Sequence, residues 1–235
     1  MKQSKLLTMI FSALTALFIL TAAIALPILV RPFYALHIKP LGLEEYTGLS
    51  RAEILTAYDE MMDFCMGWSE EFSVGVLGWS RSGASHFADV RHLFRLDLWV
   101  LGLSLAGMTA VLLFCRHKKL RPHRFLGRGP GFWAAAGLGT AFLTVGGLAA
   151  LDFDRAFVLF HALFFPGKDN WIFDWREDPI ILFLPQDFFR NCAILILALL
   201  LVWCGALILS DLLMGRRGRR PDCPPACEGC PGCGK

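Results

Sequence analysis

The sequence predicts an all-α membrane protein with four transmembrane helices and both termini cytoplasmic. A small mixed α/β extracellular cap, formed by the two outward loops, is expected to sit on them. Three observations carry this. The 235 residues are 55% hydrophobic, with a mean hydropathy of +0.52, well above a soluble domain. Four stretches hold no charged residue: 6–30, 98–115, 129–151 and 191–210, of 25, 18, 23 and 20 residues. About 20 apolar residues in a helix cross a bilayer core. Third, Lys and Arg are distributed as the positive-inside rule requires. Segment 116–131, "RHKKLRPHRFLGRGPG", has six basic residues and no acid, "GRRGRR" follows the fourth stretch, and Lys2 and Lys5 precede the first.

The chain then divides in order. Residues 1–30 are the N-terminus and first helix, and 31–94 the first part of the cap. The second helix is 95–115, the basic cytoplasmic loop 116–131 and the third helix 132–151. Residues 152–190 form the second part of the cap, 191–214 the fourth helix, and 215–235 a basic, Cys-rich cytoplasmic tail. The outward segments are net acidic: nine acids to five bases in 31–94, and seven to four in 152–190. The formal charge of +3 therefore hides a polarity between two sides. Its basic half suits anionic lipid and needs no nucleic acid as partner. The first stretch follows a basic start and contains Ala23-Ile24-Ala25, as a signal peptide would. Its apolar run is longer than the ~7–15 residues of a signal core, which favours a retained helix.

In the first outward loop, "YALHIKP" is expected to be extended. "GLSRAEILTAYDEMMDFCMG" has Ser50 and Glu53 spaced as a capping box, Gly67 as its C-terminal stop, and apolar residues at helical spacing. "FSVGVLGWSRSG" alternates apolar residues between glycines, as a strand and turn do. Ser85 is the expected N-cap of a helix running through "HFADVRHLFRLDLW" into the second span. The third span carries Gly137, Gly139, Gly146 and Gly147, small residues that let helices approach closely in lipid. It is expected to continue outward through "DFDRAFVLFHALFF" until Pro166-Gly167. Pro185 marks the first turn of the fourth helix.

Six histidines are present. His117 and His123 lie in the basic loop, and His37 and His92 have no specific partner. His86 and His161 differ, because each falls near the outer end of a membrane helix. Asp89 is one turn after His86, where a carboxylate fixes an imidazole tautomer. His161 has Phe157, Phe164 and Phe165 on its own helical side, so an ionisable group sits among rings near the membrane surface. Three readings stay open for the pair: acid–base catalysis, a metal site with Asp89, or two interfacial histidines that only satisfy backbone carbonyls. Of eight cysteines, only Cys65 falls in an outward loop, so no disulfide framework is expected. Cys223, Cys227, Cys230 and Cys233 in the tail would hold zinc or a cluster, or are spare thiols in a Pro/Gly-rich segment.

Three stretches carry a resemblance: "YTGLSRAEILTAYDEMMDF", "SHFADVRHLF" and "FHALFFPGKDNWIFDWREDPIILFLPQDFF". In them the chain resembles the bacterial lipoprotein intramolecular transacylases over most of residues 1–214; the Cys-rich tail lies outside the pattern. The resemblance implies an integral membrane acyltransferase of the cell membrane, multi-pass, with its active site on the extracellular face. It implies two catalytic histidines, which map onto His86 and His161. The implied substrate is a diacylated lipoprotein in membrane lipid. Its sn-2 acyl chain moves to the α-amine of its own N-terminal Cys, giving the lyso form, with no cofactor. Asp89 and Arg91 are expected as catalytic support, Arg91 as an oxyanion donor. Asp174 and Asp178 are expected to order the second loop or pair with Arg91. Phe87, Phe157, Phe164, Phe165 and Trp171 are expected to line the substrate pocket. Two alternatives remain: a metal-assisted lipid or peptide hydrolase, and a non-enzymatic membrane sensor or partner-binding protein signalling through the tail.

Overall fold

The computed structural model describes residues 3–217. Helix α1 (Lys5–Leu29) starts at Ser4, whose Oγ accepts from the Leu7 N–H at 3.3 Å. Thr15 and Thr21 turn their hydroxyls back onto the Phe11 and Leu17 carbonyls, which hides them from lipid. Short helices α2 (Pro32–His37) and α3 (Leu43–Thr47) follow, then α4 (Arg51–Met66). Helix α5 spans Arg81–His117. Helices α6 (Pro130–Leu151) and α7 (Phe153–Phe164) are nearly continuous, and α8 (Ile180–Phe183) precedes α9 (Gln186–Arg217). Helices α1, α5, α6 and α9 are each long and apolar enough to cross a membrane. The protein is therefore a multi-pass membrane protein.

Helix α1 packs against α5, α6 and α9. Ile19, Ala23, Ala135, Leu200 and Cys204 close the centre of this bundle. Three of the five α6 glycines face α9: a Cβ on Gly146 would lie 2.7 Å from Leu197, one on Gly139 3.6 Å from Cys204 and one on Gly131 3.8 Å from Leu207. Gly137 and Gly147 have nothing within 4 Å. At one end of the bundle, Gln3–Ser4 (β1) pairs in parallel with Arg121–Pro122 (β2). Buried Asp211 of α9 there accepts from Arg124 at 2.9 Å and from the Gly129 N–H at 3.0 Å, with Arg128 at 3.6 Å. The N-terminal segment, the basic loop and the end of α9 thus share one end.

At the other end α2, α3, α4, α8 and the starts of α5 and α9 make a cap around Tyr34, Tyr58, Met62, Phe72 and Phe183. Tyr34 stacks on Tyr58 at 3.8 Å and donates to the Phe183 carbonyl at 2.9 Å. The capping box of α4 forms as expected, with Gly67 at φ 80°. The expected α/β character does not appear: among the described residues, 31–94 and 152–190 contain no strand. Pro32 in the first turn starts a helix through "YALH" instead. In "FSVGVLGWSRSG", the Glu60 carboxylate accepts from Ser73 Oγ at 2.6 Å and the Gly75 N–H at 2.7 Å. Gly75 lies at φ +64°. The polar groups of that segment are satisfied by a side chain, with no neighbouring strand.

The start of α5 is also earlier than expected. Ser80, not Ser85, is the N-cap: its Oγ accepts from the Gly83 N–H at 2.9 Å. Asp178 accepts from the Ser80 N–H at 2.7 Å and Oγ at 2.6 Å, latching the second outward segment onto α5. At 37 residues α5 is about 55 Å long, and the ~30 Å hydrocarbon core covers only part of it. Arg81–Phe94 projects beyond the uncharged stretch 98–115 into the cap. Between α6 and α7 the chain breaks at Asp152 (φ −156°), which caps α7 by accepting from the Arg155 N–H at 2.9 Å. Pro185 lies just before α9, whose first residue is Gln186.

Candidate active site

His86 lies in the second turn of α5 and His161 in the third turn of α7. The fold brings them together: ring centroids are 5.8 Å apart at 32°, and both side chains are buried. Aromatic rings box the pair. Phe165 lies 4.9 Å from His86 and 5.7 Å from His161, and Phe173 5.5 Å from His86. Trp171 stacks on His161 at 4.4 Å, and Phe157 is also at 4.4 Å.

The two imidazoles are held differently. His161 Nδ1 is 2.8 Å from the Phe157 carbonyl. A carbonyl only accepts, so Nδ1 carries the hydrogen and Nε2 keeps its lone pair. One nitrogen is thus satisfied as in any interfacial histidine, and the other stays basic. Burial holds this imidazole below its ordinary pKa, against the pull of the carbonyl. His86 Nδ1 is buried with no hydrogen-bond partner among the described residues. Burial, then the neighbouring His161, pushes His86 down to about 4, and Asp89 pulls weakly the other way. Both rings are therefore neutral near pH 7, as proton acceptors must be.

Asp89 does not bond His86 directly. Its carboxylate takes Lys168 at 2.5 Å and Asn170 Nδ2 at 3.1 Å. Asn170 Nδ2 also donates to Ser85 Oγ at 3.1 Å. Arg91 has other neighbours. Five residues beyond His86, it lies about 140° around the helix. Its guanidinium donates to the Ser69 carbonyl at 3.2 Å, meets Glu70 at 3.5 Å and covers the Phe64 ring. Asp174 accepts from the Arg176 N–H and Asp178 serves Ser80, so neither pairs with Arg91. Of the expected ring residues, Phe157, Phe165 and Trp171 contact the pair, and Phe87 meets His86 edge-on at 5.8 Å. Phe87 stacks on Phe72 at 5.0 Å in the cap core, and Phe164 is half exposed beside Phe160.

Sequence reasoning missed Asn170 and Lys168, because "KDNW" has the composition of an ordinary turn. It also gave Phe173 no role. Among the described residues, no group of three or more His, Cys, Asp or Glu could hold a metal ion. The metal-assisted alternative has no ligand set there. Cys65, Cys115, Cys192 and Cys204 are free thiols. Cys223, Cys227, Cys230 and Cys233 lie outside the described residues.

The model of the lipoprotein intramolecular transacylase family matches residues 9–189. The chain belongs to that family. This transacylase is therefore an enzyme, an acyltransferase of the membrane that acts on lipoprotein, which sets aside the sensor alternative. Its fold is similar to the in meso structure of the Bacillus cereus lipoprotein intramolecular transacylase. That similarity has 24% identity and a TM-score of 0.78, covering 90% of this chain and 97% of the other. Two further structures of the Bacillus cereus protein carry a substituted histidine. The arginine form matches at 23% identity and TM-score 0.73 over 91% and 94% of the two chains. The alanine form matches at 24% and 0.72 over 90% and 94%. No curated protein sequence matches this transacylase.

Proposed function

We propose that His86 and His161 are the acid–base pair of an sn-2 to N acyl transfer within one diacylated lipoprotein. The product is the N-acyl, lyso-form lipoprotein. The observation that carries this reading is the convergence of two neutral imidazoles, 5.8 Å apart, from separate outward segments into one aromatic box. The α-amine of the N-terminal Cys, pKa ~7.7–8.0, attacks the sn-2 ester carbonyl once it is neutral. A C–N bond forms, and the nitrogen then carries a surplus proton. His161 Nε2 takes it, and the pair returns it to the sn-2 oxygen as the C–O bond breaks. From the neutral amine onward the proton count closes within the pair; the proton the ammonium sheds beforehand leaves to solvent. With nucleophile and ester in one molecule, the enzyme need only fold a flexible lipid into a reactive shape. Phe157, Phe165, Phe173 and Trp171 supply an apolar box that keeps out the water that would hydrolyse the ester.

The pair sits at the bundle end opposite the basic loop. The positive-inside rule assigns that loop to the cytoplasm, hence the active site to the extracellular face and both termini to the inside. The test is expression in a host that makes only diacyl lipoproteins. Mass spectrometry should find the acyl chain on the terminal amine with the intact enzyme, and only the diacyl form with His86→Ala or His161→Ala. Normal lyso-form product from either inserted variant would falsify the assignment.

A further inference from the structure

Two buried polar atoms near the pair have no hydrogen-bond partner among the described residues: His86 Nδ1 and Asn170 Oδ1. They belong to neighbouring groups, since the Asn170 amide lies 3.1 Å from both Ser85 and Asp89, which flank His86 on α5. The orientation of the Asn170 amide is fixed independently. Its Nδ2 lies 3.1 Å from Asp89 Oδ2 and 3.1 Å from Ser85 Oγ. A carboxylate can only accept, so the flipped amide would set oxygen against oxygen. Asp89 is itself anchored by Lys168. The amide oxygen is thereby left over as an acceptor that needs a donor. His86 Nδ1 is the buried atom that needs a partner, and a small turn of ring or amide joins them. Buried polar groups are rarely left unpaired, because both lose their hydrogen bonds to water.

We propose that Asn170 is the positioning residue of His86: oriented by Asp89 and Ser85, its Oδ1 holds the imidazole in the Nδ1–H tautomer and leaves Nε2 its lone pair. This rests on the reading of His86 as an acid–base group. It makes the two halves of the site equivalent by different means. His161 is fixed by a carbonyl of its own helix, whereas His86 is fixed by an amide from the other outward segment. The carboxylate expected to orient His86 does so one residue removed. A direct Asp89–His86 bond would stabilise imidazolium, while the neutral amide between them fixes the tautomer without adding charge.

The test uses the full-length protein in bilayers, with nitrogen-15 NMR of its histidines and His86→Ala to identify the His86 signals. The wild type should show His86 as a single Nδ1–H tautomer. Asn170→Leu, close in shape and lacking the acceptor, should show a mixture containing Nε2–H. Its kcat should fall on the order of 10²-fold with KM little changed. Asn170→Asp combined with Asp89→Asn keeps an acceptor at 170 and returns a donor beside it, so the double variant should restore the single tautomer. Its carboxylate, moved next to the ring, should shift the acid limb of the kcat–pH profile upward. The charged and titratable groups acting on His86 in that profile are Asp89 on α5, His161 on α7 and Lys168 after α7. A wild-type Nε2–H tautomer, or an unchanged tautomer or kcat in Asn170→Leu, overturns the proposal. The spectra are read without turnover. A His86→Ala variant that still transfers acyl chains would sink the catalytic reading while leaving the tautomer result to stand or fall by itself.

Discussion

The two ends of the bundle both bury titratable side chains, and they treat them in opposite ways. At the basic end, Asp211 is met by two guanidinium groups and a backbone N–H, so its charge is compensated where it lies. At the cap end, His86 and His161 have rings for neighbours, and His86 Nδ1 has no hydrogen-bond partner among the described residues. The first arrangement surrounds a carboxylate with donors and closes the structure. The second favours the neutral form and keeps a proton-accepting lone pair available. Burial alone does not separate a structural polar group from a chemical one; the partners do.

That contrast can be broken by substitution. The largest effect is expected at the cap end. His86→Ala or His161→Ala should lower transfer by on the order of 10²–10⁴-fold, with helix content by circular dichroism and detergent Tm nearly unchanged. Next comes Gly83→Ala. A Cβ there would stand 2.3 Å from Asp178 Oδ1, so the latch must open one turn before His86. Misplacement by about 1 Å costs roughly 10²-fold in rate, so initial rates should fall that far, with a lower Tm as well. Asp211→Ala should do the reverse of the histidine variants. It should remove about 2–3 kcal/mol of stability, visible as a lower Tm, while the folded fraction turns over normally.

The pH dependence should separate the ends more finely. His86 has a folded pKa of about 4, below its ordinary value of ~6.5. The unfolded chain therefore binds the extra proton first on acidification. The stability held by the neutral ring is complete above ~6.5 and is lost as pH falls toward 4. Tm should drop across that window in the wild type and less steeply in His86→Gln; parallel curves would refute the burial argument. The smallest effect belongs to Arg91→Ala. Its partner Glu70 is largely exposed, and exposed ion pairs contribute at most about 1 kcal/mol. Rates within about 3-fold of wild type are expected, since the guanidinium is turned away from the pair.

What could be foreseen divides along the same line. The four spans were legible because lipid demands uninterrupted apolar length. Helix α4 was legible because Ser50, Glu53 and Gly67 act within a few residues of one another. The meeting of His86 and His161 was legible from topology and resemblance together. Arrangements chosen by distant partners left no local trace. Residues 72–79 have a strand's alternation, yet Glu60 takes their polar groups. The sequence predicts Ser85 as the cap, but Ser80, held by Asp178, takes that place. Arg91 beside His86 in sequence looks like support, until the helical turn carries it to Glu70. Asn170 looks like a turn residue until Asp89 and Ser85 are seen around it.

The bond between Ser80 and Asp178 joins residues 98 positions apart. At ~5–20 residues per second of synthesis, their emergence is separated by roughly 5–20 s. During that interval the first outward segment is made, but the start of α5 lacks its clasp and His86 lacks Asn170 and His161. If the histidine pair transfers the acyl chain as proposed, a newly made chain lacks its complete site until residues 152–190 are delivered, so assembly order itself keeps a half-built site from membrane esters.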